Sequence, residues 1–266
     1  MIYPKLQEQT LYSAITFRRL LMSLACPGEI NQLAYPQFVV SVPSSGSRKD
    51  IGSPRRSFGK VYTPNPNESS GNALGEPPCY PVRGAVPVAA NLYALGALLT
   101  LLDREVTFAI ATDGQWLAHA DALVQWLILR SGSALASPES AIFAFFCQGG
   151  SGGLITQLNR GTLLEPESSA TAFYCVDRLT EWATGLEEDS AWITLELTGP
   201  GIESIQRVHV AGLDRSEIMH MTITRQSYPL GVDVYLVDSL GYCIGIPRTT
   251  RIHLLGKESQ DGVCLG

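Results

Sequence analysis

The sequence holds almost no lysine. Fifteen of its 19 cations are arginine, and Lys5, Lys49, Lys60 and Lys257 leave residues 61–256 without a single one. A pyridoxal-phosphate mechanism needs a lysine amine for its Schiff base, so that chemistry is excluded over most of the chain. Charge is scarce too. Only 17% of the 266 residues are charged, against about 25% in an average soluble protein. That excludes a disordered or supercharged chain and points to a surface less polar than a solitary monomer carries. The balance is acidic, at −6, so there is no general pull on nucleic acid or an anionic membrane.

Other absences narrow the chemistry. The longest apolar stretch, residues 88–102, is closed by Asp103-Arg104-Glu105 and falls short of the ~20 residues a membrane span needs. The opening residues show no apolar signal core, so a cytoplasmic protein without membrane contact is expected. Cys26, Cys79, Cys147, Cys175, Cys243 and Cys264 form no Cys-x-x-Cys pair, which removes a zinc ribbon and a thioredoxin-type pair. They read as reduced thiols of the interior. The four histidines, His119, His209, His220 and His253, make no His-Glu-x-x-His and read as structural or surface residues. There is no Walker lysine. No metal and no cofactor are expected.

What is present is a chain of alternating elements. Residues 7–24 carry apolar positions at helical spacing before Pro27-Gly28, which predicts a first helix. A short strand is expected at 38–42. From 41 to 85, Pro, Gly and Ser supply 21 of 45 residues, and no apolar period survives; this reads as a loop insertion within one domain spanning 1–266. Helices are expected at 88–102, 116–130 and 154–161. Strands are expected at 106–111, 141–146, 172–177, 193–198 and 208–210, with a hairpin at 232–246 around Asp238-Ser239-Leu240-Gly241. The order predicts an α/β sandwich around a mixed sheet with an antiparallel edge.

Two stretches carry candidate chemistry. Gly149-Gly150-Ser151-Gly152-Gly153 lies between a predicted strand and helix, where backbone N–H groups can cradle a phosphate, though a plain turn has the same composition. Arg248-Thr249-Thr250-Arg251 is dense in donors. It suits phosphate or phosphonate binding, or pairing with carboxylates such as Asp233 or Asp238, or with a partner chain. On a strand its two arginines would face opposite ways. The insertion carries six cations against three acids, which leaves RNA contact as a third possibility.

Ordered words along the chain resemble the PhnH family, the H subunit of the bacterial carbon–phosphorus lyase system. They are Phe17-Arg18-Arg19-Leu20-Leu21 with Cys26-Pro27-Gly28; Leu101-Leu102-Asp103; and Gly161-Thr162-Leu163-Leu164-Glu165-Pro166-Glu167 with Ala170-Thr171. Further on come Thr198-Gly199-Pro200-Gly201-Ile202, Val210-Ala211-Gly212-Leu213, Tyr228-Pro229-Leu230-Gly231-Val232-Asp233 and Ile246-Pro247-Arg248-Thr249-Thr250-Arg251. Ser169 stands where the family usually has glycine. The resemblance implies a three-layer α/β/α sandwich similar to the PLP-dependent transferase fold but without its lysine. It also implies a homodimer joined to G, I and J subunits. That complex makes α-D-ribose 1-methylphosphonate 5-triphosphate from ATP and methylphosphonate, and the H subunit has no assigned reaction of its own. Gly199, Pro200, Gly201 and Asp233 thus join Arg248, Thr249, Thr250 and Arg251 as anion-binding or interface candidates. No catalytic residue is expected. The alternative function is a free-standing phosphate- or phosphonate-binding protein or enzyme.

Overall fold

The computed structural model describes residues 3–40, 91–182 and 191–255. The chain forms α1 (Tyr3–Ala25), β1 (Asn31–Gln32), α2 (Gln37–Val40), α3 (Leu92–Leu101), β2 (Thr107–Thr112), β3 (Gln115–Trp116), α4 (Ala122–Ser131), β4 (Ala134–Leu135), β5 (Phe143–Phe146) and β6 (Thr171–Cys175). It continues through β7 (Arg178–Thr180), β8 (Trp192–Thr198), β9 (Gln206–Ala211), α5 (Arg215–Thr224), β10 (Asp233–Val237), β11 (Tyr242–Ile246) and β12 (Arg251–Leu255).

Eight strands form one mixed sheet, in the order β1-β11-β10-β6-β5-β2-β3, with β4 also on β2. Strands β2, β5, β6 and β10 run parallel at its centre. β11 returns antiparallel against β10 with Val237 opposite Cys243. Both faces of these central strands are buried, as parallel sheets require. Phe145, Phe173, Tyr235 and Cys243 point to one face, where α1, α3 and α4 cover them. Ala144, Tyr174, Val234 and Ile244 point to the other.

That other face departs from the α/β/α expectation. It is covered by a second, antiparallel sheet in the order β12-β8-β9-β7, together with α5. Leu195, Leu197, Val208 and Val210 from this sheet and Ile218 and Met221 from α5 share its core. The fold is mixed α/β with a mixed sheet, and its third layer is a sheet plus a helix. The alternation read at 193–198 is real: Ile193, Leu195 and Leu197 are buried. It serves a second sheet, whose existence a period of two cannot reveal.

Several elements differ from expectation. The strand expected at 38–42 is helical where described, as α2, and 41–42 lie outside the described residues, as does the 41–85 insertion. The helix expected from 116 starts only at Ala122, because Gln115–Trp116 turns back onto β2. Asp113 and Gly114 both take positive φ there, 51° and 70°, the two-residue hairpin geometry that Asp-Gly favours. The helix expected at 154–161 is a single 3₁₀ turn, Leu154–Gln157. The helix α5 was not expected.

Two side-chain devices hold α1 and α3 in place. Asn91 caps α3, accepting from the N–H groups of Tyr93 and Ala94 at 3.0 and 3.1 Å. Its amide reaches back to the carbonyls of Val237 and Asp238 at 3.1 and 2.8 Å. Under α1, the Tyr235 hydroxyl donates to the Leu20 carbonyl at 3.0 Å. Gly245 allows the helix to lie directly on β11, since a Cβ there would stand 2.5 Å from the Ser23 carbonyl oxygen.

Two predictions follow from this packing. Gly245→Ala should lower stability by about 1–3 kcal/mol by overpacking, read as a shift in urea midpoint; a change within about 0.5 kcal/mol would show that α1 does not rest on this strand. Burial also pushes the Cys243 thiol up from 9.0 to about 12 and Cys147 up to about 11. The unfolded chain then releases these protons first, so stability should fall as pH rises above about 9. Urea midpoints at about pH 8 and pH 10.5 measure this, and Cys243→Ala should soften the fall. A wild-type midpoint unchanged across that range would contradict it.

Candidate functional site

The eight candidate residues lie along the crossover between the two sheets. After β11 the chain turns at residues 247–250, where the Thr250 N–H closes on the Pro247 carbonyl at 2.8 Å, and then enters the second sheet as β12. Residues 248–250 are therefore a turn, not a strand, and the strand-face argument for Arg248 and Thr249 does not apply. The Arg248 N–H donates to Asp233 Oδ1 at 2.7 Å, so the carboxylate at the head of β10 fastens the turn. The Arg248 guanidinium donates to the Pro166 carbonyl at 2.6 Å and also to the Ser169 hydroxyl. The residue that departs from the family pattern is thus a partner of a candidate arginine.

Glycines let the neighbouring turn approach. A Cβ on Gly199, at φ 145°, would sit 3.0 Å from the Thr249 carbonyl oxygen. Gly201, at φ 83°, faces the end of α1, where a Cβ would come within 2.5 Å of the Ala25 carbonyl oxygen. Thr250 is buried. Pro200 and Arg251 are exposed, the latter paired with Thr198 at the start of edge strand β12. The structure brings Asp233 to Arg248 and Gly199 to Thr249 and Thr250, and sets Gly201 and Arg251 apart.

Arg225, a residue not singled out in the sequence, completes the crossover. Its guanidinium donates to the carbonyls of Val232 and Ile246 at 3.1 and 3.2 Å and of Thr250 at 3.4 Å. Burial lowers its pKa to about 10, opposed by the nearby Asp233 carboxylate, so it stays charged at neutral pH. Three strand ends meet on this one cation.

The glycine loop has a different setting. Gly149 lies against Gly212, where any Cβ would collide with backbone, and Gly150 faces the Asp214 side chain. Behind it, buried Glu217 of α5 accepts from the Ser151 hydroxyl at 2.7 Å and the Tyr174 hydroxyl at 2.9 Å. His220 lies 3.3 Å from its other oxygen. A loop flanked by two carboxylates opposes a phosphate rather than attracting one, so these glycines serve close packing on α5. Asp214-x-x-Glu217 has the spacing of a capping box, the signal that could have located this helix. Asp214 does cap, taking the Ser216 N–H at 2.9 Å, while Glu217 turns inward.

The remaining histidines are bound or peripheral. His209 pairs with Thr194 at 2.9 Å, and burial, then Arg207, lowers its pKa. His119 lies 2.9 Å from the Gln125 amide nitrogen, and His253 is exposed on β12. Among the described residues, no group of three or more His, Cys, Asp and Glu could hold a metal ion. No described helix is long and apolar enough to cross a membrane.

Fold and site together define a mixed α/β protein whose interior charges join its layers. Comparison with known proteins gives it a family. The model for "Bacterial phosphonate metabolism protein (PhnH)" matches residues 73–253, a range that takes in α3 to α5 and all but the end of β12. A relative from Stutzerimonas stutzeri, named "Putative C-P lyase subunit protein HtxG", is 33% identical over 179 residues, 67% of this chain and 82% of the relative. The chain belongs to the PhnH family. The words at residues 17–28 fall outside the family match, although α1 packs on the same sheet.

Removing the Arg248 guanidinium leaves the Pro166 carbonyl and the Ser169 hydroxyl without that donor. Arg248→Ala should therefore cost about 1–3 kcal/mol, measured by chemical unfolding. Glu217→Ala should cost more than Glu217→Gln, because the amide still offers one oxygen to Ser151 and Tyr174. Equal losses for the two Glu217 variants would mean that the carboxylate oxygens hold nothing.

Proposed function

We propose that this protein is a subunit of a carbon–phosphorus lyase complex in organic phosphonate breakdown, acting through assembly rather than through chemistry of its own. Family membership carries this reading, joined to a relative whose name is that of a C–P lyase subunit. In this reading it supports synthesis of α-D-ribose 1-methylphosphonate 5-triphosphate from ATP and methylphosphonate, in the cytoplasm, as a homodimer alongside G, I and J subunits. Its layered sheet is then kin to the PLP-dependent transferase fold, with the lysine-free stretch consistent with a lost cofactor site.

The surface supports a role in assembly. On α1, Leu11, Ile15 and Met22 are exposed in line, at spacings of four and seven residues, with Phe17 and Leu21, four apart, on the adjoining side. An apolar stripe on an outer helix of a charge-poor chain matches the composition of interface cores. We assign Arg251 and Pro200 to the same role, as exposed members of the candidate set. Arg248, Thr249, Thr250, Gly199, Gly201 and Asp233 act beneath them by holding the crossover. At these residues nothing favours the free-standing anion binder, because the Arg248 guanidinium is engaged and the glycine loop faces acids.

Co-expression with the G and I subunits, purified by a tag on one of them, should bring this chain along. Leu11→Glu with Ile15→Glu should reduce co-elution at least about tenfold while leaving the unfolding midpoint little changed, as surface substitutions usually do. Failure of the wild-type chain to co-elute would overturn the reading. Normal assembly of the α1 variant would remove α1 from it.

A further inference from the structure

A cavity of about 520 Å³ opens between the β7 edge of the second sheet and the β1–β11 edge of the large one. It lies beside the carboxyl ends of β6 and β10, where open parallel sheets place their ligands. Its size falls within the range of small-molecule sites, roughly 300–1,000 Å³. The lining includes Ile30, Arg178, Glu181, Trp182, Trp192 and Tyr242. Three aromatic residues and one arginine thus line one opening, together with Glu181, on a chain with four tryptophans in all.

Strand register explains the arrangement. Arg178 of β7 and Trp192 of β8 both pair with Ala211 of the intervening strand. Directly paired residues point to one face, so Arg178 and Trp192 flank a small side chain, about 10 Å apart across two strand spacings. Leu179, between Arg178 and Thr180, points the other way into the core, and its N–H is held by Asp238 Oδ2 at 3.1 Å. The Thr180 hydroxyl accepts the Trp182 N–H at 3.2 Å, fixing the backbone from which that ring projects. Glu181 Oε1 accepts the Ile30 N–H at 3.2 Å, which ties the two walls together. Trp182 is 77% exposed.

An exposed tryptophan beside a second tryptophan, a tyrosine and an arginine is a costly way to fill a sheet edge. It is well suited to a ligand with a planar face and a negative group. Aromatic walls stack a ring sequence-tolerantly, and a guanidinium takes a phosphate through its fork of donors. Among the described residues no carboxylate lies within salt-bridge distance of Arg178, the ion pairs there being Arg207–Glu196 and His220–Glu217. We propose that this cavity is a nucleotide site, with Trp182 and Trp192 stacking the base and Arg178 binding the phosphate. The proposal rests on the cavity alone and does not depend on membership of a complex.

Titrating the full chain with AMP, adenosine and inorganic tripolyphosphate, read by tryptophan fluorescence and by calorimetry, tests it. AMP should bind and quench, and adenosine should bind more weakly. Tripolyphosphate alone should bind weakest, since it has no ring to stack. Trp182→Ala should weaken AMP at least about fivefold, as loss of one stacking platform does. Arg178→Gln should bring AMP to the affinity of adenosine. Both residues are exposed, so thermal unfolding should stay close to wild type and the loss should be one of binding. No response to AMP at millimolar concentration would overturn the proposal, as would AMP binding untouched by both substitutions. Tripolyphosphate binding as tightly as AMP would also overturn it, since an anion site needs no aromatic walls. A chain that co-elutes with its partners yet binds no AMP refutes this site and leaves the assembly role standing.

Discussion

The Arg225 guanidinium holds together the ends of three strands. It stands just past α5 and donates to carbonyls at the entry to β10, the end of β11 and the entry to β12. Taking a cation out of water costs several kcal/mol unless its donors are met, and hydrogen bonds to a charged group return about 1.5–3 kcal/mol each. Here carbonyls meet the two terminal nitrogens, Nε is left without a partner, and Asp233 supplies the opposing charge. The chain can then leave the large sheet at Ile246 and enter the small one at Arg251 with only a four-residue turn between. Arg248 and Asp233 tighten that turn from its other side. Both sheets are placed by this crossover, and so are the β7 edge and the cavity beside it.

How much of this was legible depended on whether the signal was local. The β10–β11 hairpin was read closely, because its apolar runs flank an obvious turn and both strands are buried. The Asp113-Gly114 turn carried an equally local signal that went unread under an apolar pattern resembling a helix. Helix α5 was hidden for another reason. It buries Glu217 and Thr224 while Met219 is 60% exposed, so its inner face does not look apolar. The second sheet could not be inferred, since alternation in β8 reports one buried face and not what lies against it.

The candidate site divides in the same way. The sequence pointed to one crossover of the structure, because glycine, proline, arginine and threonine concentrate where a chain must turn sharply and satisfy its backbone. The same residue types serve ligand binding, and composition does not separate the two uses. Partners do: the Arg248 guanidinium is engaged with Pro166 and Ser169, whereas Arg178 has no described carboxylate within salt-bridge distance. The scarcity of charge also acquires a place. Apolar surface collects on α1 and aromatic surface at the β7 edge, so the two functions inferred here occupy different parts of the molecule.

Asn91 has a consequence for how this chain varies. Its side chain caps α3 and grips the β10–β11 turn at once, so α3 starts from a fastened point. Closing a longer connection costs little, about 0.6 kcal/mol for each doubling of its length. A change of length ahead of Asn91 therefore costs the fold little while Asn91 keeps its grip on α3 and the β10–β11 turn. The latch thus separates the cost of connecting two elements from the cost of seating α3 on the sheet.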